Sequence, residues 1–172
     1  MNYKEFVEKV ILGDLTSLYN IPVKARDDLR PAFRYHLFIL ISIGIEALGA
    51  AFDDEEWFKD RMSSVRFNVA LEKLKALNKY KDKCLYNKLR CGMAHVYLPS
   101  PGLSLNSKLE TYPHNKIIRH DIGLLNLQIE PFFLDFKLAC NELIKKINDH
   151  DPEIKKKVYR DEFFKVGKVE DL

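Results

Sequence analysis

Residues 37–52 read Leu-Phe-Ile-Leu-Ile-Ser-Ile-Gly-Ile-Glu-Ala-Leu-Gly-Ala-Ala-Phe, and Glu46 is the one charge in the run. The run falls short of the roughly 20 apolar residues that a membrane span needs. A carboxylate in its middle would also be costly in lipid. It is predicted to be the buried central helix of a helical domain, with no membrane role. Asp27 and Asp28 suit the start of this helix, and Pro31 is tolerated in a first turn, where its missing N–H has no helical partner. Gly44, Ala47 and Ala51 fall on one face, so another helix can approach closely there. The acidic run 53–56 ends it.

Outward from this helix the chain keeps a helical period. Tyr3, Phe6, Val7, Val10 and Ile11 make an apolar stripe over residues 2–12, closed by Gly13 and Asp14, and residues 15–24 read as a connector. Val65, Val69 and Leu74, with Phe67, Leu71 and Ala76, give residues 60–77 a broad apolar face. A short break at 78–83 is expected before a helix over about 82–94, carrying Leu85, Leu89, Gly92 and Met93. Pro131 opens a last long helix to about residue 148, with Phe132, Phe133, Phe136, Ala139, Cys140, Leu143, Ile144 and Ile147 buried. Residues 153–168 suggest a further short helix within a basic C-terminal segment, 153–172.

Residues 98–126 differ. They hold Pro99, Pro101, Pro113, Gly102 and Gly123, and two alternating runs, 115–120 and 124–129, predict a small hairpin turning at 121–123. The fold class expected is therefore all-α: one domain over 1–172, an antiparallel bundle of about five helices with a small β-hairpin or loop insertion before the last.

Composition narrows the function classes. A length of 172 residues suits one domain with a sizeable core. The formal net charge of +3 neither demands nor excludes a nucleic-acid partner. Three cysteines, an odd number without a dense framework, point to free thiols in a reducing cytosol. Residues 1–9 mix charges of both signs and show no apolar core of a signal peptide, so a cytoplasmic location is expected.

Chemistry is concentrated in residues 85–99, Leu-Tyr-Asn-Lys-Leu-Arg-Cys-Gly-Met-Ala-His-Val-Tyr-Leu-Pro. Arg90 and His95 stand with four residues between them where the helical pattern runs out. A histidine moves protons near neutral pH, and an arginine presents a rigid fork of donors that matches phosphate oxygens. Together they suffice to cleave RNA without a metal: the 2′-hydroxyl loses a proton, the 5′-oxygen gains one, and charge on the phosphorane is held. His95 near a helix C-terminus would feel the negative dipole end. The alternative is structural: His95 as a helix-end cap and Arg90 as a salt-bridge partner.

An Arg-x4-His pair at the end of a helix, in a domain of long antiparallel helices, resembles the HEPN superfamily. The resemblance implies a helical bundle that commonly forms a homodimer with the two motifs facing across the two-fold axis. It implies metal-independent endoribonuclease activity in defence, stress or toxin–antitoxin systems, with an antitoxin-like protein partner, or else a non-catalytic module that binds nucleotide or protein. Arg90 and His95 match the motif arginine and histidine, and Cys91 stands where asparagine, aspartate or histidine is usual.

Glu46, costly in so apolar a helix unless paired, is expected to lie near Arg90 or His95 and orient it; the alternatives are that it surfaces on the helix's polar edge or pairs structurally with Arg34, Arg66 or Arg90. Asn87, one turn before Arg90, is a second supporting candidate, and Tyr86 is expected to pack. In a straight α-helix His95 would sit roughly 140° around from Arg90, so the reading calls for a distorted helix end or a second subunit. Cys84, Cys91 and His95 lack the spacing of a zinc site and read as core cysteines and a lone histidine. His114 and His120 are expected at the surface. No phosphate loop, nucleophile elbow or metalloprotease motif occurs, and no metal or cofactor is expected.

Overall fold

The computed structural model describes residues 1–21, 32–96, 98–107 and 112–161. The central run forms α3 (Ala32–Gly49), continued by a 3-10 turn, Ala50–Phe52. Its expected start at 28–31 lies outside the described residues. Leu37, Phe38, Ile41, Ile45 and Leu48 are buried, so the helix that has the length to cross a membrane lines a protein core instead. Its small residues do the work expected of them. A Cβ on Gly44 would lie 2.5 Å from the ring of Phe136, and one on Gly49 would lie 1.8 Å from the carbonyl oxygen of Arg66.

Two short α-helical pieces, α1 (Tyr3–Glu5) and α2 (Leu15–Tyr19), flank a π-wound stretch, Phe6–Asp14. Asn2 and Glu5 cap the start reciprocally. The helix does not stop at Gly13 as its sequence suggests. Leu15 is buried and Tyr19 stacks on Phe133 at 4.2 Å, and those contacts outweigh the roughly 1 kcal/mol that a mid-helix glycine costs. Helix α4 (Ser63–Lys73) ends at Leu74, whose backbone is extended. The break predicted at 78–83 is a 3-10 stretch, Lys75–Lys83, that buries Leu77 and Tyr80. Cys84, at φ 54°, turns the chain into a π-wound segment, Tyr86–Cys91, which runs on into α5 (Gly92–Val96). Helix α6 (Ile129–Asn148) starts two residues before Pro131 and buries the expected face. The basic segment forms only a 3-10 turn, Lys156–Tyr159, in its described part.

Residues between α5 and α6 overturn the all-α reading. They build a three-stranded mixed sheet from β1 (Leu103–Asn106), β2 (Lys116–Arg119) and β3 (Leu124–Gln128), in the order β1-β3-β2, so the fold is mixed α/β. The hairpin is the antiparallel β2–β3 pair, with Ile117 opposite Leu125. The unforeseen strand is β1, parallel to β3 with Leu103 opposite Leu125. Buried Asn126 holds the strands' surroundings together: its amide donates to the carbonyls of Tyr112 and Pro113 and its Oδ1 accepts from Asn106 at 2.6 Å. A four-residue strand whose partner lies some twenty residues on has no local signature, because its pairing is decided by that distant contact.

Buried charge fixes the loop after α3. The Arg66 guanidinium donates to Asp53 at 2.8 Å and to the carbonyls of Glu56 and Trp57. Lys157 donates to Asp53 at 2.8 Å and lies over the Trp57 ring, 4.7 Å from its centroid. Burial pushes the Asp53 carboxyl up, but the hydrogen bonds from Arg66 and Lys157 outweigh it and hold the group below its ordinary value.

Candidate functional site

Arg90 lies inside the π-wound turn and Glu46 lies on α3, and the fold brings them together: Arg90 Nε donates to Glu46 Oε2 at 2.9 Å. Both side chains are about one-fifth exposed, so the pair is partly desolvated yet open to solvent. Burial, and the Cys91 thiol five residues on across the same turn, raise the Tyr86 hydroxyl above its ordinary value. The Tyr86 ring sits edge-on to Phe67 at 5.7 Å, which fixes it between the core and the Arg90–Glu46 pair.

Backbone shape follows from the chain that returns after α5. Wider i→i+5 winding displaces carbonyls from the ordinary ladder, and buried or half-buried carbonyls need donors. Ser100 supplies them: its N–H donates to the Lys88 carbonyl at 2.9 Å and its hydroxyl to the Asn87 carbonyl at 3.2 Å. Gly92 makes room for that return, since a Cβ there would lie 2.6 Å from the Leu98 carbonyl oxygen. The helix is thus distorted over Tyr86–Cys91, the turn that contains Arg90. Its π winding stops at Cys91, so the rest of the interval to His95 is α-helical.

His95 is exposed in the last turn of α5. Asn87 is exposed and lines a cleft with Ser64, Asn68 and Glu72 of α4, so its side chain faces that cleft. Cys84 is exposed, contrary to the expectation of a core thiol, because its left-handed backbone ends one segment and starts the next. Cys140 is buried as expected, and burial pushes its thiol up to about 12. Among the described residues no group of three or more His, Cys, Asp and Glu side chains is placed to hold a metal ion.

A second polar cluster lies where the sheet meets the helices. His114, expected at the surface, is instead largely buried: its Nδ1 accepts from the Gln128 backbone N–H at 3.0 Å and its Nε2 lies 2.6 Å from the Tyr80 hydroxyl. A ring nitrogen facing an N–H is the acceptor, so the proton sits on Nε2 and donates to the Tyr80 oxygen. Tyr80 in turn donates to Asp135 at 2.5 Å, and Lys79 pairs with the same carboxylate at 2.8 Å. Both ring nitrogens are committed, so the cluster fastens the sheet to α6.

One signal for the site was present in the sequence and was not read from it. Between residues 75 and 95, Lys75, Lys79, Lys81, Lys83, Lys88 and Arg90 stand against the single carboxylate of Asp82. That stretch carries more positive charge than the whole chain's net +3, and it is the stretch that contains the π turn. In the fold, Lys79, Lys81 and Arg90 of that stretch pair with Asp135, Glu72 and Glu46. No family model, curated protein or solved structure gives a significant match to the chain.

Proposed function

We propose that the chain is a HEPN-like, metal-independent endoribonuclease of a defence, stress or toxin–antitoxin type. The observation that carries the reading is the Arg90–Glu46 pair inside a distorted helix end, one helical segment before an exposed His95. Glu46 holds Arg90 through Nε, so the terminal N–H groups of the guanidinium are left to grip a phosphate. In the reaction the 2′-oxygen attacks phosphorus as the bond to the 5′-oxygen breaks. One proton leaves the 2′-hydroxyl and one reaches the departing 5′-oxygen, giving a 2′,3′-cyclic phosphate and a 5′-hydroxyl. His95 serves the proton transfer and Arg90 the charge on the phosphorane. A homodimer that sets the two motifs face to face completes the site, and an antitoxin-like protein is the expected regulator.

The Cys91 side chain favours a second reading. Its thiol lies beside Tyr86, so the position that is usually polar in the motif carries only a weak hydrogen-bonding group here. On that reading the same groove binds nucleotide or a protein without cleavage. The deciding experiment is incubation of the purified protein with mixed single-stranded RNAs in excess EDTA, beside Arg90→Ala and His95→Ala. Cleavage that leaves 2′,3′-cyclic phosphate ends and is lost in both folded variants supports the nuclease. Intact RNA, or cleavage that persists in both variants, supports the binding module.

A further inference from the structure

Beside the π turn, α4 and residues 81–87 enclose a cleft of about 740 Å³, within the range of small-ligand sites. Ser64, Asn68 and Glu72 line it from α4 at four-residue intervals, which places all three on one helical stripe. Cys84, Tyr86 and Asn87 face them from the other wall. Tyr86 belongs to both places: it lines the cleft and stands in the same π-wound turn as Arg90.

The charge inside the cleft decides what it can hold. Two carboxylates, Glu72 and Asp82, accompany one ammonium, Lys81, which lies 3.8 Å from Glu72. A phosphate would be repelled there. A nucleobase is not: its edge carries both donors and acceptors, which two carboxamides, a serine hydroxyl and a carboxylate can answer, and unpaired bases rest on aromatic walls such as Tyr86. We propose that this cleft receives an unpaired nucleobase and its ribose, the neighbour of the phosphate held at Arg90. The phosphate's position rests on the ribonuclease reading; the base site does not. Duplex RNA keeps its base edges paired and cannot fill the cleft.

Cys84 supplies a reporter, being an exposed thiol on the cleft wall. The full-length protein is treated with iodoacetamide with and without millimolar adenosine, guanosine, cytidine or uridine, and alkylation of each cysteine is followed by mass spectrometry. At least one nucleoside is expected to slow Cys84 alkylation threefold or more. Asn68→Ala and Asn87→Ala, both at exposed positions that leave folding intact, should abolish the protection, and Arg90→Ala should keep it. A 2′-O-methyl single-stranded tetranucleotide should protect where a short duplex does not. If none of the four nucleosides protects, or both asparagine variants protect as well as the parent, the base site is wrong. Protection without RNA cleavage would uphold the cleft and remove the nuclease. Cleavage without protection would do the reverse.

Discussion

Lowering the pH from 7 to 5 should destabilise this protein through one residue, His114. Burial, the first cause, and the nearby Lys79 charge hold the His114 imidazole at about 4, against an ordinary value of 6.5, although Asp135 opposes them. Protonating Nδ1 would also set two donors against each other at the Gln128 N–H. The folded state therefore refuses a proton that the unfolded chain accepts, and stability falls as pH drops through 6.5 and stops falling near 4. The full shift corresponds to about 3 kcal/mol, and about 2 kcal/mol of it is lost between pH 7 and pH 5. Carboxylates held below their ordinary values, such as Asp53, contribute only as their unfolded forms titrate below about pH 4.5. Urea unfolding of the parent and of His114→Gln at pH 7, 6 and 5 separates the two. The variant should be less stable at pH 7, since Tyr80 and Gln128 lose a partner, yet its stability should hardly change between pH 7 and 5. A flat parent profile, or the same slope in both proteins, would refute the assignment of a neutral, buried imidazole.

The remaining predictions concern the charge network, the helix crossing and the site. Asp53→Ala leaves Arg66 and Lys157 buried without their carboxylate and should cost about 3–5 kcal/mol in chemical denaturation, whereas exposed Asp121→Ala should cost under about 1 kcal/mol. Gly49→Ala drives a methyl into the Arg66 carbonyl of α4 and should cost about 1–3 kcal/mol or more, while Gly13→Ala, whose new methyl would lie 3.4 Å from the Glu8 carbonyl oxygen, should be neutral or stabilising by up to about 1 kcal/mol. On the proposed nuclease function, Glu46→Gln should lower RNA cleavage at least tenfold while the thermal midpoint stays close to the parent's. A variant that cleaves at the parental rate would show that Glu46 does not position Arg90.

Much of the helical frame was legible because it is written in local period. The burial of 37–52, the face of residues 131–148 and the hairpin at 116–128 each follow from spacing within a dozen residues. Contacts distant in sequence decided the rest. Tyr19 on Phe133 carried the first helix past Gly13, and the Asn126 amide held the sheet's surroundings in place. Short β1 became a strand only because β3 lay alongside it, and with it the fold class changed from all-α to mixed α/β. His114 reads as a surface residue until the sheet presses it against Tyr80.

At the site the division is the same. The residue types came from the chain itself: an arginine and a histidine near a helix end, and a carboxylate whose apolar surroundings require a partner. Choosing that partner among Arg34, Arg66 and Arg90 needed the fold. Arg66 is taken by Asp53, thirteen residues before it, and Arg90 pairs with Glu46. The π turn and the cleft beside it are likewise products of packing. A hydrophobic pattern records which face of a helix is buried, but the winding of one turn is set by the segment that folds back on it, here Ser100 over Gly92.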